Sequence, residues 1–267
     1  MHQDIDSPIL KKALFWHVQE VPVSLNWEEA GKEKKPTVIL VHGAGASAAT
    51  WTLQLRGLSK HCHVVALELN GHGRSQDKSD KAVADSYLDD IDQVVSMFQT
   101  PILGGHSMGG ALTQLYALRH PEKLGGIILV GTGARLRVTP VVFELLDTNF
   151  EGYIEALGEF MFHQSASKEL IEASQQEARK CPKHIIRRDF ELCDHFDIME
   201  RVSEIMIPTL IIVGDDDVMT PLKFSNYLNE KIKNSKLQTV KSAGHMVMLE
   251  QPLKVNSAIR KWIESSI

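Results

Sequence analysis

A chain of 267 residues with 43% hydrophobic and 24% charged residues sits at the soluble globular average and excludes collagen, coiled coil and disorder. Lys and Arg number 29 against 34 Asp and Glu, a net charge of −5, so nothing pulls it towards phosphate backbones and no nucleic-acid partner is expected. No apolar run approaches the ~20 residues that span a bilayer. Acids stand near the N-terminus where a signal peptide would carry bases. Cys62, Cys181 and Cys193 are too few and too scattered for a disulfide framework, so a cytoplasmic, reducing location is expected.

Strand-length runs rich in β-branched residues fall at 13–18, 21–25, Thr37–Val41, 63–67, 101–105, Gly126–Val130, 209–213 and 237–240. The first two have no helix between them and read as an antiparallel hairpin at a sheet edge. Thr37–Val41, Gly126–Val130 and 209–213 are apolar without alternation, the pattern of strands covered on both faces. Helix-period segments at 49–59, 80–98, Met108–Arg119, 221–231 and 252–263 separate the later strands. Strand–helix alternation of this kind predicts an α/β fold, an eight-stranded, mostly parallel sheet flanked by helices.

Residues 134–204 break the rhythm. No strand pattern occurs over ~70 residues, where a crossover needs only about a dozen. This reads as a helical cap, 134–205, inserted after the sixth strand of a core formed by 1–133 and 206–267. It holds six of the nine phenylalanines, Phe143, Phe150, Phe160, Phe162, Phe190 and Phe196. With Met161, Met199 and Met206 these suggest an apolar pocket, although most of the rings are needed for the cap's own core. Its charges, 9 basic against 14 acidic, do not favour an anionic substrate. Arg187 and Arg188 read as a solvated face.

Gly105-His106-Ser107-Met108-Gly109 lies between a predicted strand and a predicted helix. A serine on so tight a turn takes positive φ, and glycines two residues either side avoid a clash. The turn lifts Ser107 clear of the sheet at a helix N-terminus, a nucleophile's position. Serine needs a base, and the base an orienting acid, both beyond the carboxyl ends of later strands. The loop after 237–240 supplies His245. The loop after 209–213 supplies Asp215, Asp216 and Asp217, among which residue physics does not choose. The loop after Gly126–Val130 has no acid. Val41-His42-Gly43-Ala44-Gly45 follows another strand, and the N–H groups of Ala44 and Met108 are the candidate oxyanion donors. His61-Cys62-His63 lacks further ligands nearby, so no metal is expected, and nothing calls for a cofactor.

His42-Gly43, Asn70-Gly71-His72-Gly73-Arg74-Ser75, the serine turn, Gly214–Asp217 with Pro221, and Gly244-His245 together resemble the α/β-hydrolase superfamily, in its esterase/lipase-like branch. The resemblance covers almost the whole chain and implies an α/β-hydrolase fold. It selects Asp217, the last residue of Gly-x-x-Asp, as the acid, and it makes the 71–75 turn structural. Glu68-Leu69-Asn70 departs from the Asp-x-Pro of many relatives. The implied activity is hydrolysis of small-molecule carboxylic esters with apolar acyl or aryl groups by Ser107, Asp217 and His245. C–C hydrolases, lactonases, thioesterases and cofactor-independent haloperoxidases share this scaffold, as do ligand-binding receptors. Ser107 argues against the branches that use an aspartate nucleophile.

Overall fold

The computed structural model describes residues 25–78 and 82–267. Among the described residues seven strands form one sheet: β1 (Asn26–Ala30), β2 (Thr37–Val41), β3 (His63–Glu68), β4 (Ile102–His106), β5 (Gly126–Val130), β6 (Thr209–Gly214) and β7 (Ser235–Val240). Their spatial order is β1-β3-β2-β4-β5-β6-β7. Only β1 runs antiparallel, pairing with β3, Asn26 opposite Glu68; the other pairings are parallel. Eight strands were expected. The 13–18 strand and nearly all of the 21–25 strand lie outside the described residues. The antiparallel edge position is filled by β1, a segment the hydropathy pattern passes over because it carries Glu28 and Glu29.

The helices between β2 and β5 are α1 (Thr52–Leu58), α2 (Val83–Val95) and α3 (Met108–Arg119). Between β5 and β6 come α4 (Pro140–Thr148), α5 (Phe150–Phe160), α6 (Lys168–Ala178) and α7 (Lys183–His195). After β6 follow α8 (Leu222–Lys231), α9 (Val247–Glu250) and α10 (Pro252–Ser266). The central strands show why their sequences do not alternate. Ile39, Val65, Leu103, Ile127 and Ile211 face one apolar layer with Ile91 of α2, Leu112 of α3 and Leu228 of α8. Their neighbours Val38, Val64, Ile102, Ile128 and Leu210 face the other, with Leu58 of α1 and Val255, Ile259 and Trp262 of α10. Side chains that alternate across a strand meet hydrocarbon either way.

The inserted helices α4–α7 have an apolar cluster of their own, with Leu146, Tyr153, Ile154, Ile185 and Ile186 at its centre. Phe150 stacks on Tyr153 and Phe143 packs beside this cluster, while Phe196 joins the main core and Phe160 is half exposed. No helix among the described residues is long and apolar enough to cross a membrane. All three cysteines are buried and unpaired. Burial raises the thiols of Cys62 and Cys181 to about 11 and about 12, which leaves them poor nucleophiles.

Candidate active site

Ser107 joins β4 to α3 with φ +52° and ψ −115°, a left-handed conformation that a non-glycine residue holds only under constraint. The constraint is visible on both sides. A Cβ on Gly105 would lie 2.1 Å from the Gly109 carbonyl oxygen, and one on Gly109 would lie 2.4 Å from the Val41 carbonyl oxygen. Both contacts are with backbone, which cannot swing away. Gly105→Ala is therefore expected to cost more than the ~3 kcal/mol of ordinary overpacking, read as a fall in the urea midpoint or a loss of folded protein.

The three candidate carboxylates part company. Asp215 Oδ1 accepts from the Ser242 N–H at 2.8 Å. Asp216 is exposed and pairs with His163. Asp217 is buried, and its Oδ2 stands 2.9 Å from His245 Nδ1. Thr220 adds two donors to Asp217, its N–H and its hydroxyl, each at 2.8 Å. Burial pushes the Asp217 carboxyl up, but His245 and the Thr220 donors outweigh it and hold it below the usual carboxylate range. A carboxylate on Nδ1 takes that nitrogen's proton as a hydrogen bond, which leaves Nε2 as the basic atom.

Ser107 and His245 line one cavity of about 220 Å³ together with Ala44, His106 and the apolar side chains of Tyr153, Leu157, Met161, Phe162, Leu170, Phe190, Met219, Met246 and Leu249. Met199 and Met206, expected as pocket residues, are absent from this lining: Met199 packs against the main core and Met206 is exposed. Neither Arg187 nor Arg188 of α7 lines it. Arg187 pairs with Asp147 and Glu191 at the surface. Arg188 departs from the solvated reading, since it donates to the Tyr87 hydroxyl at 2.9 Å and to the Asn70 carbonyl at 2.7 Å.

His42 shapes the loop that carries Ala44. Its Nδ1 lies 2.8 Å from the Gly43 carbonyl, and its Nε2 accepts from the Leu69 N–H at 3.2 Å. Only the neutral ring with a proton on Nδ1 satisfies both. Burial and the neighbouring His72 push its pKa down to about 3. Because a trans peptide opposes its C=O and N–H, drawing the Gly43 carbonyl to His42 turns the Ala44 N–H the other way. A Cβ on Gly43 would sit 3.4 Å from the Ser107 Cβ, so this peptide lies beside the serine. Met108 opens α3, and first-turn N–H groups have no acceptor within their own helix.

Sequence reasoning missed the supports behind His245. His106 Nε2 donates to the His245 carbonyl at 3.0 Å, while burial and His245 push the His106 imidazole far below the ordinary histidine range. Glu250 accepts from the Gly244 N–H at 2.9 Å and the His163 N–H at 2.8 Å, tying the His245 loop to the end of α5. Thr220 and Glu250 lie three residues after Asp217 and five after His245, a spacing that by itself does not set them apart from surface residues. His63, set aside as a metal ligand, pairs with Glu29 at 2.9 Å.

An esterase structure is 30% identical and covers 91% of this chain and 94% of its own, with a TM-score of 0.81. A malate-bound thermophilic esterase from Thermogutta terrifontis is 25% identical over 91% of this chain and 93% of its own, with a TM-score of 0.82. Among curated proteins, the (E)-2-((N-methylformamido)methylene)succinate hydrolase of Acinetobacter baylyi is 27% identical over 86% of this chain and 90% of its own. The sequence profile of the alpha/beta hydrolase family matches residues 38–258. With that span matched and the sheet, serine turn and acid–histidine pair in place, the chain belongs to the alpha/beta hydrolase family and is a hydrolase.

Proposed function

We propose that this hydrolase cleaves neutral carboxylic esters with small to medium apolar acyl groups through an acyl-enzyme on Ser107. The observation that carries the reading is the 2.9 Å bond between Asp217 and His245 at the wall of the cavity that Ser107 also lines. His245 Nε2 takes the Ser107 proton as the hydroxyl attacks the ester carbonyl. The N–H groups of Ala44 and Met108 receive the oxyanion. Asp217 orients the ring and stabilises the imidazolium. The ring then protonates the departing alcohol, and water activated by the same nitrogen releases the acid. In this reading residues 134–205 are a cap over the core, and the three buried thiols suit a cytoplasmic location.

The lining supports the substrate class. Among the described residues no Lys or Arg side chain reaches the cavity, and Glu177 is the one acid on its wall. A carboxylate on the acyl chain would lose hydration with no cation in return. Comparison of 4-nitrophenyl butanoate with the 4-nitrophenyl monoester of succinic acid tests this. The butanoate is expected to have at least tenfold higher kcat/KM, and equal or reversed preference would contradict the neutral apolar assignment.

A further inference from the structure

Helix α7 (Lys183–His195) buries a carboxylate, Asp189, that the reaction above does not use. Asp189 is fully buried and receives three hydrogen bonds: the Gly45 N–H at 2.8 Å and His72 Nε2 at 2.8 Å on Oδ2, and the Tyr87 hydroxyl at 2.6 Å on Oδ1. His72 Nδ1 faces the Asn70 carbonyl at 3.1 Å. Both ring nitrogens of His72 therefore face oxygen atoms, which fixes the ring against the carboxylate. Burial works against a charged Asp189, but His72, Tyr87 and Gly45 outweigh it and keep its carboxyl below the usual range. One turn earlier on the same face of α7, Ile186 packs on Gly45, where an added Cβ would come within 3.0 Å of it.

Gly45 follows Ala44. The Gly43–Ala44 peptide is pinned from the core by His42, and the Ala44–Gly45 peptide is pinned from α7 by Asp189. Two successive peptide planes fixed from opposite sides leave the Ala44 N–H little freedom to turn away from the cavity. We propose that Asp189 is a positioning residue for the oxyanion site, holding the Ala44–Gly45 peptide so that ester turnover requires α7 to be seated on the core. This rests on the Ser107 acyl-enzyme reading.

A simple staple between α7 and the core would predict something different, and Arg188 separates the two. It anchors the same helix to Asn70 and Tyr87 without touching Gly45. Asp189→Asn and Arg188→Gln are compared with wild type, each normalised to the fraction of chains that take a fluorophosphonate label. Inhibition is measured with n-butylboronic acid, whose serine adduct is a tetrahedral anion, and with dibutyl ether, which fills an apolar cavity without one. In Asp189→Asn the boronic acid Ki is expected to rise at least tenfold and kcat per labelled chain to fall ten- to a hundredfold, with the ether Ki within threefold of wild type. In Arg188→Gln both Ki values are expected to stay within threefold. Equal weakening of both inhibitors in Asp189→Asn, no weakening of either, or the same boronic acid loss in Arg188→Gln overturns the proposal. If Asp189→Asn does not fold, His72→Phe removes the other donor on the same oxygen and carries the same expectation. Wild-type protein that takes no label on Ser107 ends the acyl-enzyme reading itself, whereas labelled protein with unchanged inhibitor selectivity removes only the role of Asp189.

Discussion

Ser107→Ala is expected to lower kcat for ester hydrolysis by on the order of 10⁵–10⁶ while leaving the unfolding midpoint close to wild type. The hydroxyl is the bond-forming atom in the proposed mechanism, so its loss removes the acyl-enzyme route and leaves only what the oxyanion donors and the cavity contribute. The fold does not depend on it: the strained turn is held by backbone, with the Ser107 N–H on the Val130 carbonyl at 3.0 Å and the Thr132 hydroxyl on the Ser107 carbonyl at 2.9 Å. Alanine keeps those bonds. Steady-state turnover of 4-nitrophenyl butanoate beside urea denaturation checks both halves. Retained turnover contradicts the mechanism, and a collapse of stability would make the lost activity uninformative about chemistry.

Stability is expected to fall steeply as pH drops below about 6.5. His42 takes up a proton only near pH 3 in the folded protein but near 6.5 in the unfolded chain. Between those values the unfolded state binds a proton that the folded state refuses, and each pH unit costs about 1.4 kcal/mol. From neutral pH down to 3 this one ring removes roughly 5 kcal/mol, a large share of the 5–15 kcal/mol typical of a domain. His106, also buried and neutral, shifts the same way. Asp189 and Asp217, both with lowered pKa values, add a further loss as pH falls through and below their unfolded range near 4. Urea midpoints from pH 8 to pH 4.5 measure the slope. His42→Asn, which cannot titrate, should flatten it by about 1.4 kcal/mol per pH unit; an unchanged slope would place the acid sensitivity elsewhere.

The parts of this molecule legible from sequence are those in which one residue type has one physical use. Met108–Arg119 is read with its observed ends because glycines mark the turn before it and His120-Pro121 stops it. The central strands are read because burial on both faces forbids polar residues. β1 escapes because an edge strand has one partner and tolerates Glu28 and Glu29. Among the three adjacent acids, spacing alone does not choose; the family resemblance selects Asp217, and the fold brings that residue to His245 while sending Asp215 to a backbone N–H and Asp216 to the surface. Asp189 is invisible for a related reason. It is one of fourteen acids in an acid-rich helical segment, and only burial against His72 distinguishes it. The six phenylalanines of that segment divide similarly: Phe162 and Phe190 reach the cavity, and the others serve packing or face solvent.

The convergence of Ser107 and His245 is tested most directly by the rate and position of covalent labelling with a fluorophosphonate, read by peptide mass spectrometry. One label per chain on the peptide containing Ser107, slowed at least a thousandfold by His245→Ala, is the predicted result. Label on another serine, or a rate at Ser107 indifferent to His245, would contradict it.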